Sequence, residues 1–405
     1  MRADSAPLAG AEPELGADVA AFAAAVRAFL AREMGRAADY PDPSDLTGLA
    51  EPFERDLLRR AGAEGLLGSA VPAGQGGPGR GAGHQAAFDF LAAAFDAPLI
   101  DTALTLAGHP IMQFGSPRQL ADFVPRMVRG EITMAVAYTE EQAGSDLRAI
   151  QSAAEPDGDG YLLRGRKVLV TGAHKADWCV TIALTGEKPG AMTMFLVDLS
   201  TPGVSVRRRP TMNGWTLDEV TFDRVRVGPD AVLGARGGAW RQLIASVQAE
   251  RSGLAYLGFA RHVLDLLGAY LRGARRDGAV LAADVLARDT LAELEIDFDA
   301  GLRLAARAVR EPGTAAPTPM LASAVKVVAT ELLQRIAQAA TELSGHAGTV
   351  HGPLFGGPAI PEAAANGRFA WEYLERVHAT IGAGTSELLR DGIAEYGLGL
   401  PRGPR

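Results

Sequence analysis

Two places in this chain carry residue types and spacings that could do chemistry. The first is Glu250. Leu243, Val247, Leu254, Leu257 and Leu264 recur at steps of four, seven, three and seven, the spacing of one helix face. Position 250 falls on the same stripe. A polar group on an apolar face costs roughly 2–7 kcal/mol without a partner, and a charge costs more. Glu250 is therefore paired with a cation, placed at a boundary of the protein, or kept as a proton acceptor. Arg251 does not answer the charge directly, because neighbouring helix residues point about 100° apart. On this pattern alone a buried ion pair, or a face read wrongly, explains the position better than chemistry does. The second place is the loop Thr139-Glu140-Glu141-Gln142-Ala143-Gly144-Ser145-Asp146. Its hydroxyls, small residues and backbone N–H groups suit hydrogen bonds to a polar ring edge or a phosphate. Taken alone it reads better as an ordinary polar turn.

Other chemistries lack their residues. His346 and His351 are five apart in a glycine-rich stretch, not at the spacing of a helical metal pair, so no metal is expected. No Gly-x-Ser-x-Gly elbow is present. The run Val71–Gly79 is rich in glycine but lacks a Gly-Lys-Ser/Thr ending and a preceding strand, and reads as a connector.

The whole chain narrows the class. Its 405 residues suggest two or three domains, and 47% hydrophobic with 22% charged residues is the balance of a soluble globular protein. The formal net charge of -8 argues against a nucleic-acid partner. Arg207, Arg208 and Arg209 read as a solvated strand end. With Cys179 as the one cysteine no internal disulfide forms, which suits a reducing, cytoplasmic setting. Cys179 itself, inside Trp178–Ala183, reads as a small core residue. No apolar run reaches the length of a membrane span. The N-terminus, with Asp4 and Glu12, has no basic region ahead of an apolar core, so no secretion signal is expected.

Residues 1–16 read as a loose leader. Helical periodicity follows from Ala17, interrupted at Pro41 and Pro43, then over Glu51–Ala63, His84–Phe95, Leu104–Phe114 and Pro117–Met127. From Glu131 the period becomes two, with short strands out to Leu233. After Gly238 helices return: one to about Leu271, then Ala283–Val309, Pro319–Ser344 and a fourth from Thr385. Residues 346–367 are unassigned. The expected fold is α+β and multidomain. It has an N-terminal helical domain (1–130), a middle β-barrel or sandwich (131–235) and a C-terminal four-helix bundle (236–405).

In this order the motifs resemble the acyl-CoA dehydrogenase family over nearly the whole chain. The resemblance is carried by the Gly65–Gly77 connector, Phe114-Gly115, Gly130-Glu131, Thr139–Asp146, Gly165-Arg166-Lys167 to Thr171, Phe222-Asp223 to Val227, Leu233-Gly234 and Gly382-Ala383-Gly384-Thr385-Ser386-Glu387. It implies a flavoenzyme with FAD between the β-domain and the C-terminal bundle. Tyr138, Thr139, Gly144 and Ser145 match the loop that contacts flavin and ligand. Leu169, Val170 and Thr171 match the segment beside the isoalloxazine, where the family often has an aromatic ring at position 169. Thr385 and Glu387 match C-terminal flavin contacts. Ser145, Arg251 and Gly384 match substrate contacts.

The implied reaction is α,β-dehydrogenation of an acyl-CoA: a base takes the α-proton and the β-hydride goes to flavin N5. Electrons then pass to an electron-transferring flavoprotein. A ribityl hydroxyl and a backbone N–H stabilise the thioester oxygen. Many members keep the base just before the Gly-Thr of the C-terminal motif. Here that residue is Ala383, which still offers the N–H. Isovaleryl-CoA dehydrogenase is similar at both places, with a Glu-Arg pair on the first bundle helix that Glu250-Arg251 match; Glu250 is then the base. One region departs from the family. The Arg-x-x-Phe-Gly that reaches a neighbour's FAD is Ala274-Arg275-Arg276-Asp277-Gly278, Val285 replaces a Gln, and Thr341–Gly345 is degenerate. Arg275 and Arg276 are the candidate substitutes. Homo-oligomer (dimer or tetramer) and heteromer with a second family member both stay open. So do a flavin oxidase or monooxygenase, and a non-catalytic partner subunit.

Overall fold

Val19, Phe22, Val26, Phe29 and Leu30 recur at helical steps, and all are buried along α1 (Ala17–Met34). The computed structural model describes residues 16–37, 40, 51–99, 103–186, 191–250, 253–309, 319–352 and 360–402, with residues 245–250 and 319 described by backbone alone. Pro41, Pro43 and residues 1–15 of the expected leader lie outside that set. Helices α2 (Glu51–Ala63), α3 (Ala82–Ala94), α4 (Gly108–Phe114) and α5 (Pro117–Val128) follow. Ser116 and Gln119 form a reciprocal capping box at the start of α5, where Pro117 suits the first turn.

Next come β1 (Met134–Ala137), β2 (Ala153–Asp157), β3 (Gly160–Val170), β4 (Trp178–Leu184), β5 (Met192–Asp198), β6 (Val204–Pro210), β7 (Thr216–Val227) and β8 (Val232–Leu233). They pair as β6-β7-β3-β2-β4-β5-β8, with β1 added in parallel to β4. Alternation decides which side chain goes where. Along β4, Val180 and Ile182 enter one core while Cys179 and Ala183 enter another; along β5, Met194 and Leu196 oppose Phe195 and Val197. The core of Phe195 is filled from within the sheet by Leu163, Val220 and Phe222. The other is filled by Ile111 of α4 and by Phe123, Val124 and Met127 of α5. The Gln119 amide of α5 also donates to the carbonyls of Asp230 (2.8 Å) and Val232 (3.0 Å). Arg207 and Arg208 are exposed on β6, the edge strand, in keeping with a solvated strand end. Burial pushes the Cys179 thiol up to about 12, as befits an inert core residue.

The C-terminal part holds α6 (Ala239–Glu250), α7 (Leu254–Gly273), a hairpin of β9 (Arg275–Arg276) and β10 (Ala279–Val280), α8 (Val285–Val309), α9 (Pro319–Ser344), α10 (Arg368–Glu375) and α11 (Ser386–Gly392). This corrects one expectation: the first helix does not run unbroken to Leu271. Gly253 stands at φ 70, outside the right-handed helical region, and a Cβ there would lie 2.6 Å from Val325 Cγ1. The α10 helix follows directly on the unassigned residues 346–367, where periodicity predicts no element before Thr385.

By contacts the chain divides into two compact units. A helical unit comprises Met1–Leu57, Arg80–Ile100 and Arg251–Arg405; a β-unit comprises Leu58–Gly79 and Asp101–Glu250. Within the helical unit α3 packs on α7 at Gly258, where a Cβ would meet the Phe90 carbonyl at 2.3 Å. Arg261 joins α7 to α8 through both oxygens of Glu295 (2.7 and 2.8 Å). A buried ion network links the end of α3 to α10. Arg368 donates to Asp96 (2.7 Å) and to Glu372 (2.6 Å), and Arg376 donates to the other Glu372 oxygen (2.5 Å). Burial pushes the Glu372 carboxyl up, but its two arginines outweigh this and hold it at about 2.

Candidate functional site

In the β-unit two of the singled-out segments lie against each other. The Val168 amide donates to the Thr139 carbonyl (2.9 Å). Lys167 extends the tie: its Nζ donates to Glu140 Oε1 (2.8 Å) and approaches the Tyr138 carbonyl (3.3 Å). Lys167 is 0% and Glu140 5% exposed. Glu140 also accepts the amides of Gln151 (2.6 Å) and Ser152 (3.0 Å) and the side-chain amide of Gln142 (2.7 Å). Burial pushes the Glu140 carboxyl up, yet these donors, Lys167 foremost, hold it at about 2. Burial pulls the Lys167 ammonium down, with Glu140 opposing it.

This bracing leaves a defined surface. Glu140 and Ala143 exchange both backbone hydrogen bonds, closing a tight turn that leaves the exposed Gly144 and Ser145 amides outside it. On β3 the register with β7 slips between Lys167 and Val170, and the extra residue swings Leu169 outward at φ 56 and 64% exposure. Thr171 is exposed beside it, while the Val170 side chain is buried, so only its backbone remains to offer. Tyr138 is buried in the sheet–helix core. Beyond Thr171, His174 presents its backbone amide and ring Nδ1 to one oxygen of the fully buried Asp218, each at 2.8 Å, which fixes the turn leaving the strand. Amide donors, a hydroxyl and an apolar side chain on a rigid base suit a flavin ring and its polar edge.

In the helical unit the segment ahead of α11 has matching features. Ala383 stands at φ 54, a left-handed conformation that costs an L-residue about 1–2 kcal/mol. Such outliers persist where the surroundings fix them, often at functional sites. Thr385 caps α11 by accepting the Leu388 amide (3.2 Å). Glu387 is exposed in the first turn; its own backbone amide and then the Thr385 hydroxyl lower its pKa. The neighbouring Gly384 carbonyl receives Lys326 Nζ of α9 (3.0 Å).

Glu250 is the last residue of α6, and the division of the chain falls between it and Arg251. Its side chain and all of Arg251 lie outside the described residues. Leu243 belongs to the sheet–helix core, whereas Leu254, Leu257 and Leu264 are buried along α7, so the stripe is two surfaces joined at the break. Of the candidate substitutes in the region that departs from the family, Arg276 donates to the Leu343 carbonyl at the end of α9 (2.7 Å) and Arg275 to Gly278 (3.1 Å). Val285 is 74% exposed. Among the described residues no cluster of metal ligands is present, and no helix is long and apolar enough to cross a membrane.

The residues missed by sequence reasoning are the braces: Lys167 with Glu140, His174 with Asp218, and Lys326. Each pairs residues far apart in the chain. The exception is Arg368, Glu372 and Arg376, whose steps of four amid Phe369, Ala370 and Trp371 are a legible signal.

Three family descriptions match in succession: the acyl-CoA dehydrogenase N-terminal domain over residues 17–131, its middle domain over 135–225 and its C-terminal domain over 237–398. Acyl-CoA dehydrogenase IpdE1 of Mycobacterium tuberculosis is 32% identical over 403 residues, 95% of this chain and 98% of its own. Acyl-CoA dehydrogenase FadE29 of the same organism is 30% identical over 87% of this chain and 90% of its own. Among solved structures, a variant of the Tcur3481-Tcur3483 steroid ACAD superposes with a TM-score of 0.80 at 25% identity, covering 96% of this chain and 100% of that one. The fold, the succession of domains and these relatives agree: the chain is an oxidoreductase of the flavin-dependent acyl-CoA dehydrogenase family.

Proposed function

We propose that this chain catalyses FAD-dependent α,β-dehydrogenation of an acyl-CoA thioester, with Glu250 as the base. One observation carries the choice of Glu250. The turn that offers a backbone N–H ahead of α11 holds a methyl side chain at Ala383, so the carboxylate must come from elsewhere in the chain. Gly253, three residues after Glu250, packs against Val325 of α9, and the next residue, Lys326, holds Gly384.

Thr139, Gly144, Ser145, Leu169, Val170 and Thr171 would hold the cofactor, as would Tyr138, Thr385 and Glu387. Bound FAD supplies the acceptor for the β-hydride and the route of electrons to an electron-transferring flavoprotein. Glu250 takes the α-proton onto a carboxylate oxygen. The negative charge that grows on the thioester oxygen is met by the Ala383 N–H, with Ser145, Gly384 and Arg251 orienting the ligand.

The test is Glu250→Gln with FAD content checked. Loss of a general base is expected to slow flavin bleaching by acyl-CoA about 10²–10⁴-fold. Bleaching at the wild-type rate would remove Glu250 from the mechanism. The acyl panel should set a steroid-derived thioester beside straight and branched chains, because a steroid ACAD is among the related structures.

A second feature favours a heteromer with another family member. Arg275 and Arg276 are engaged by carbonyls of their own chain, and Val285 offers no hydrogen bond to a neighbour's cofactor.

A further inference from the structure

The proposed chemistry leaves Lys326 of α9 unused. Its side chain is 0% exposed, and its Nζ donates to the Gly384 carbonyl at 3.0 Å. Lysine is almost never fully buried without a partner, because removing an ammonium from water costs several kcal/mol. The carbonyl it meets lies between two special residues: Ala383, left-handed at φ 54, and Thr385, the cap of α11. The α9 helix grips this segment at other points too. Gln334 donates to the Arg376 carbonyl (2.9 Å) and to Thr380 Oγ1 (3.0 Å). Both oxygens of Glu331 receive Arg390 (2.6 and 2.7 Å). Those ties fix the two ends of the segment. Lys326 fixes its middle, one residue from the strained position.

We propose that Lys326 is a positioning residue for the oxyanion contact. Its ammonium clamps the Gly384 carbonyl, which holds Ala383 in the left-handed conformation and keeps the Ala383 N–H aimed at the thioester oxygen. A right-handed Ala383 would relieve the strain and turn that N–H away. This rests on the reading that the Ala383 N–H meets that oxygen.

The test uses FAD-loaded holoenzyme, with any partner chain it needs, and an enoyl-CoA labelled with ¹³C at the thioester carbonyl. Difference infrared spectroscopy reads the carbonyl stretch of the bound ligand. Wild-type enzyme is expected to lower that frequency relative to free ligand. Lys326→Met is expected to lose at least about half of the lowering. Its kcat should fall about tenfold, less than the 10²–10³ seen when an oxyanion donor is deleted outright, with KM and FAD content little changed. Lys326→Arg, which keeps the buried cation, is expected to retain most of the lowering; Lys326→Gln, shorter and uncharged, is read in place of Lys326→Met if that variant does not fold. Wild-type lowering in folded Lys326→Met or Lys326→Gln overturns the role of Lys326 while leaving the oxyanion reading intact. No lowering in the wild-type enzyme overturns the oxyanion reading itself.

Discussion

At the scale of single residues the site depends on backbone geometry that ordinary side chains resist. Leu169 and Ala383 both occupy left-handed positions, and both lie in segments assigned to the cofactor or the thioester. Ala383 can be tested directly. Ala383→Gly removes the clash between Cβ and the carbonyl that a left-handed L-residue suffers, although glycine also gains freedom in the unfolded chain. The net expectation is stabilisation of roughly 0.5–1 kcal/mol, read from the midpoint of urea unfolding. A loss of stability of that size would mean that packing of the alanine methyl outweighs the strain. The spacing around Glu250 singles out a carboxylate on a stripe that the structure does not keep continuous. A carboxylate on a continuous stripe would be a core anomaly. The break at Gly253 makes Glu250 a helix-terminal residue at the point where the chain leaves one unit for the other.

At the scale of elements the Lys167–Glu140 pair joins the end of β3 to the Thr139–Asp146 turn. Replacing one partner of a buried pair strands the other. Lys167→Met is therefore expected to cost roughly 3–5 kcal/mol of stability and to weaken FAD binding, read by urea unfolding and by flavin fluorescence. The pH dependence has a definite sign. Glu140 moves from 4.5 to about 2 on folding: burial pushes it up, and the hydrogen bonds led by Lys167 more than reverse this. A carboxyl depressed in this way contributes its full stabilisation above about pH 4.5 and loses it as the pH falls toward 2. The unfolding midpoint of the wild-type protein should fall over that window, and Lys167→Met should flatten the fall. An unchanged acid limb in the variant would show that Glu140 is not its source. The elements were largely legible: Glu51–Ala63 and Pro319–Ser344 have the bounds expected from periodicity. Leu104–Phe114 was shortened to Gly108–Phe114, and the short α10 was missed. Eight residues give too few turns for a period to stand out, and α10 draws on Asp96, far away in sequence.

At the scale of the whole molecule the open question is who supplies the second half of the cofactor site. The hairpin that carries Asp277 at φ 52 places its arginines on carbonyls of the same chain, and α8 begins with the exposed Val285 and Leu286. Expressed alone, the chain is expected to hold well under one FAD per chain. Co-expressed with a complementary family member it should form a mixed oligomer with bound flavin, measured by absorbance and native mass spectrometry. One FAD per chain in a stable homo-oligomer removes the heteromer from consideration.

Periodicity, the change of period near Glu131 and the ordered motifs determined the class of fold and the family, because they are local properties that each stretch of chain carries by itself. They also marked Thr139–Asp146, Leu169–Thr171 and Gly382–Glu387. Only the tertiary structure decided how those segments are held. A bulge at Leu169, a helix break at Gly253 and the partners of Lys167 and Lys326 arise from contacts between distant residues. The cost of a buried charge or a left-handed alanine is defined only once its surroundings are in place. So spacing singled out Glu250, and only the structure showed that α6 ends there and that Gly253 comes close to Val325.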